Sequence, residues 1–104
     1  MTDYNIYDAK NVLESLKDNI YGIKKIPHYE EKANERDVDF NIVNSKLVDE
    51  IPVGIQKTLY HSERFELIYE YNKKEDLYII INILNNNEID ILTIIKKNSN
   101  RRRH

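Results

Sequence analysis

Residues 65–95, FELIYEYNKKEDLYIIINILNNNEIDILTII, decide the fold of this chain. Phe65, Leu67, Tyr69 and Tyr71 alternate with Glu66, Ile68 and Glu70, the period of two that a strand requires. Leu77 to Leu84 is almost wholly apolar, and Ile89 to Ile95 nearly so. Asn72 to Asp76 and Asn85 to Glu88 break these runs with turn-forming residues at hairpin length. Three strands joined by two tight turns make an antiparallel meander. An earlier strand, at about Val53 to Tyr60, brings the number to about four. Strands this apolar belong to a sheet covered on both faces. Simple alternation gives Leu67, Tyr69, Ile79, Ile81 and Ile91 to one face, and Ile68, Ile80, Leu92 and Ile94 to the other.

N-terminal to the strands the apolar period lengthens. Ala9, Val12, Leu13, Leu16 and Ile20 form one stripe at a 3.6-residue spacing, which predicts a helix over residues 8–21 with Gly22 as its C-cap. Ile23 to Ile26 reads as a short strand or extended arm, and Pro27 forces Ile26 out of helical geometry. A second, short helix is expected from His28 to Arg36, with Tyr29 and Ala33 on its inner side. A third begins at Asp39, a good N-cap, with Val38 and Val43 spaced as a hydrophobic staple. Phe40, Val43 and Leu47 continue it until Pro52 stops it near Glu50. The fold class is α+β: N-terminal helices packed on a twisted antiparallel sheet of about four strands. The paired helices cover one face. The stripe of the first helix is the remaining apolar surface of matching size, so it is expected on the second face, in its own chain or swapped across a homodimer.

The chain has 104 residues, the length of a single domain. It contains no Cys, which excludes disulfide scaffolds, zinc knuckles and thiol chemistry. Its apolar runs are too short to cross a membrane, and Met1-Thr2-Asp3-Tyr4 starts no signal peptide, so a cytoplasmic protein without membrane contact is expected. The formal net charge is −2, but five of the sixteen basic residues, Lys96, Lys97, Arg101, Arg102 and Arg103, crowd the C-terminal end. A basic tail, residues 98–104, on an acidic body is an electrostatic contact for RNA or an acidic partner, or a solvated end. With only Gly22 and Gly54 there is no P-loop and no dinucleotide turn. The three histidines have no ligand spacing, so neither a metal nor another cofactor is expected.

His28 opening a helix, the turn Glu35-Arg36-Asp37-Val38-Asp39, and the meander after it resemble the RelE/ParE-like toxin superfamily, in particular its short BrnT-like toxins. The resemblance covers residues 26–97. It implies a helix, a tight turn, a second helix and three or four antiparallel strands, with His28 and Arg36 at the motif positions. It also implies a toxin or toxin-derived protein, often a metal-independent endoribonuclease, neutralised by a small antitoxin. The sequence departs from the pattern in three ways. Asp37 stands where the family usually has Gly. The N-terminal helix is additional. Glu66, Glu70 and Asp90 place carboxylates where RNA-cleaving members show cations.

Metal-free RNA cleavage needs a base, an acid and cations for the developing charge. His61, Arg64 and Tyr60 make the best cluster, with His61 as acid or base and Arg64 as phosphate clamp. A polar bend between strands is the plainer reading of the same residues. Lys96, Lys97 and the three tail arginines are the candidate nucleic-acid contacts. The other reading is a non-catalytic protein-interaction module on the same fold. The tail divides the two: in a nuclease it lies beside His61 and Arg64.

Overall fold

A computed structural model describes residues 4–25, 40–58 and 62–98. In chain order these form α1 (Ile6–Leu16), a 3₁₀ turn (Ile20–Gly22), β1 (Ile23–Lys25), α2 (Phe40–Asp49), β2 (Gly54–Lys57), β3 (Arg64–Glu70), β4 (Glu75–Asn85) and β5 (Glu88–Asn98). The expected helix at residues 28–36, and the capping pair Val38 and Asp39, lie outside the described residues.

The class is α+β, with two differences in the sheet. The described residues form five strands rather than four, in the order β1-β5-β4-β3-β2. The sheet is also mixed. The β2 to β5 meander is antiparallel, but β1 pairs with β5 in parallel, Ile23 opposite Ile89 and Lys25 opposite Ile91. A parallel pair needs a long crossover, and the chain between β1 and β5, which includes α2 and the rest of the meander, is long enough to supply one.

The first helix is shorter than its apolar stripe. It starts at a capping box: Asn5 Oδ1 accepts from the Asp8 amide and Asp8 Oδ2 from the Asn5 amide, both at 2.9 Å. It ends at Leu16, so Gly22 is not its C-cap. Past Leu16 the chain is hooked onto the β4–β5 turn instead. Ser15 Oγ donates to the Asn86 carbonyl at 3.1 Å and Asn19 Nδ2 to the Asn87 carbonyl at 3.3 Å. A Cβ on Gly22 would sit 2.1 Å from the Asn87 carbonyl oxygen, so the residue is Gly because backbone passes against backbone there. At the other end of α1, the Tyr4 amide donates to the Ser62 carbonyl, in the β2–β3 turn. The helix therefore bridges two turns at one end of the sheet.

One apolar cluster holds the molecule together. Ala9, Val12, Leu13 and Leu16 of α1 and Val43 and Leu47 of α2 meet Phe65, Leu67, Tyr69, Ile79, Ile81 and Ile91. Both described helices thus stand on the same face, and α1 does not cover the second face as its unassigned stripe suggested. The reason is spatial: α1 is tied to two neighbouring turns and packs beside α2. Ile94 also belongs to this cluster. Ile79 faces Ile94 but Ile81 faces Ile91, so one extra residue of β5 lies between them. This bulge at Leu92 reverses the alternation and carries Ile94 into the core. On the opposite face Ile68 is fully buried, while Ile80 is half-buried.

Candidate functional site

Arg64 is the described member of the expected cluster; Tyr60 and His61 lie outside the described residues. It opens β3, half-buried, on the face away from the helices. Its Nε–H donates to Asn82 Oδ1 at 3.1 Å, which fixes the plane of the guanidinium. The register extends this contact into a polar row across the sheet: Arg64 opposite Asn82, Asn82 opposite Asp90, Asp90 opposite Lys24. Lys24 Nζ also meets Glu88 Oε2 at 3.2 Å. Asn82, Asp90 and Lys24 were not among the sequence candidates. Only strand register, 18 positions apart for Arg64 and Asn82, assembles them.

The row carries both signs of charge. Glu66 stands next to Arg64 on this face, opposite Ile80, and Asp90 lies two strands away. Glu88 is held below the usual carboxylate range, first by its hydrogen bond from Asn85 and then by Lys24. A carboxylate so held stays ionised and opposes a phosphate at the β1–β5 end of the row.

The lysines expected to bind nucleic acid sit elsewhere. Lys97 is opposite Asp76 in the β4–β5 register, and Arg64 is opposite Asn82. Six positions of β4 separate these partners, about 20 Å at strand rise. Lys96 and Lys97 face opposite sides of the sheet. Lys96 Nζ lies 5.2 Å from the Tyr71 ring centre and Lys97 Nζ 4.7 Å from that of Tyr78. Their strand end also carries Glu70, Glu75 and Asp76. Arg101, Arg102 and Arg103, and the motif residues His28 and Arg36, lie outside the described residues.

Among the described residues no group of three His, Asp or Glu side chains could hold a metal, and no helix is long and apolar enough to cross a membrane. No family model matches the chain, and neither a curated protein nor a solved structure matches it.

Proposed function

We propose that this chain is a toxin-derived, RelE/ParE-like module that acts by binding a protein and does not cleave RNA. The observation that carries this reading is the spacing of its cations. Arg64 is at one end of the sheet and the root of the basic tail at the other, about 20 Å away by strand rise. A phosphodiester spans far less, and among the described residues the carboxylates of Glu66 and Asp90 share the face of the sheet on which Arg64 stands. The RelE/ParE-like part of the proposal rests on the motif residues and on the order of elements, a helix followed by four antiparallel strands. An antitoxin-like protein is the partner class it implies. Inducible expression in a bacterial host, with growth and mRNA integrity followed together, tests it. The mRNA should remain intact whether or not growth slows. Cleavage of mRNA that disappears in Arg64→Ala overturns the reading in favour of the ribonuclease.

A further inference from the structure

A groove of about 470 Å³ runs between α1 and the connection from α2 into β2. Ile6, Leu13, Leu47, Ile51, Val53 and Ile55 line it. Ile51 is 78% exposed, Val53 57% and Ile6 42%, although apolar side chains of this size are stabilised by leaving water. β2 is the end strand of the sheet, and among the described residues no strand lies on its outer side. On the rim, Lys17 meets Glu14 at 3.3 Å and Glu50 meets Lys46 at 3.0 Å. That leaves Lys10 as the rim charge with no carboxylate partner among the described residues.

We propose that this groove takes an extended apolar segment of a partner polypeptide, which adds to β2 as a further strand and sets one acidic side chain against Lys10. The proposal rests on the protein-binding reading above and names its surface. An end strand offers backbone hydrogen bonds to an extended segment, and alternate side chains then reach the apolar floor beside it. The shape disfavours a second copy of this chain, since a two-fold contact sets groove against groove and leaves both hollow. A small molecule is disfavoured because Glu14, Lys17 and Glu50 are held in ion pairs at the rim instead of converging on the floor.

Displayed random peptides of about seven residues, a strand's length, selected on the full chain, test the proposal. The enriched peptides are synthesised and titrated into isotope-labelled protein. They should carry apolar residues at alternate positions with one Asp or Glu, and they should shift the amide signals of residues 53–57. Val53→Asp and Lys10→Glu should each weaken them about tenfold or more, with an otherwise unchanged amide spectrum confirming that these exposed positions leave the fold intact. No enrichment overturns the proposal. So do peptides with helical spacing, shifts confined to β3–β5, or a dimer in sedimentation that Val53→Asp dissolves. The outcomes separate from those of the binding reading. Intact mRNA without groove binding removes the groove alone, and cleaved mRNA with groove binding supports the groove and removes the non-catalytic reading.

Discussion

The helix face of the sheet is closed by side chains of one kind: Phe65, Leu67, Tyr69, Ile79, Ile81, Ile91 and Ile94 are all buried against α1 and α2. The opposite face mixes kinds. Ile68 is as buried as any of these, yet Glu66, Asp76 and Asp90 share its side of the sheet with Arg64 and Lys97. The two faces are written by the same alternating residues, so what separates them is register, and the β4–β5 register shifts between Ile83 and Asn85 near the turn and again between Ile80 and Ile81, at the bulge in β5. Before it, Ile89 and Ile91 point to the helices. After it, Ile94 does, and Thr93 and Ile95 turn to the mixed face. A bulge thus lets one strand keep feeding the core while Asp90 before it and Thr93 after it both stay on the mixed face.

The largest expected effect separates these two registers directly. Ile94→Asp puts a carboxylate in the apolar cluster and removes a packed side chain, so it should cost more than about 4 kcal/mol and unfold much of the protein. Leu92→Asp, at the half-buried bulge position, should cost about 1 kcal/mol. Urea denaturation midpoints of the two variants provide the measurement. Equal losses would mean that Leu92 and Ile94 share a face, as simple alternation has it, and the comparison would fail.

The next effect concerns how α1 is held on the helix face. Gly22→Ala places a methyl group 2.1 Å from a backbone oxygen, which cannot swing aside as a side chain can. The β4–β5 turn must move, at a cost of about 1–3 kcal/mol. Asn5→Ala removes the capping box that starts the helix at its other end, and should cost about 1 kcal/mol. Both are read from thermal or urea unfolding. If either leaves stability unchanged, that end of α1 is not fixed by the contact described.

Much of the meander was legible because period two, period 3.6 and turn residues are local signals. α1, α2 and β3 to β5 stand near where the sequence placed them. β1 was visible as an extended segment, but its parallel pairing was not, since three residues carry no information about a partner some 65 positions away. The bulge was hidden because Ile91-Leu92-Thr93-Ile94-Ile95 is apolar on both parities, and alternation inside such a run marks no side. Placing α1 on the wrong face had a related cause. A leftover apolar stripe was matched to a leftover apolar face, and the hooks that fix its position end on the carbonyls of Asn86, Asn87 and Ser62, backbone acceptors without a sequence signature. Arg64 was singled out as a phosphate clamp, and what the structure gives it is a hydrogen bond to Asn82. Its partner Asn82 needed the register.

The smallest effect is on the helix face itself, at a buried ionisable aromatic. Tyr69 is 1% exposed, and its hydroxyl has no hydrogen-bond partner among the described residues. Burial pushes its phenol well above the ordinary value, and the Glu50 carboxylate adds to the rise. The folded chain therefore keeps the proton to higher pH than the unfolded chain does. The resulting stability is fully present below the unfolded value, about 10, and is lost as the pH rises from there toward the folded one. Over that window the loss runs at about 1.4 kcal/mol per pH unit, because the folded state holds one proton that the unfolded state has released. Tyr69→Phe removes both the orphaned hydroxyl and the titration. At neutral pH it should change stability by nothing or raise it by up to about 1 kcal/mol, since no hydrogen bond is lost and a desolvated polar group disappears. Above pH 10 the variant should decline less steeply than the parent, and the difference between the two urea midpoint curves isolates Tyr69 from the other tyrosines. A variant that is less stable at neutral pH, with the same alkaline slope as the parent, would show that the hydroxyl is satisfied and that the helix face is not as uniformly apolar as the comparison of the two faces holds.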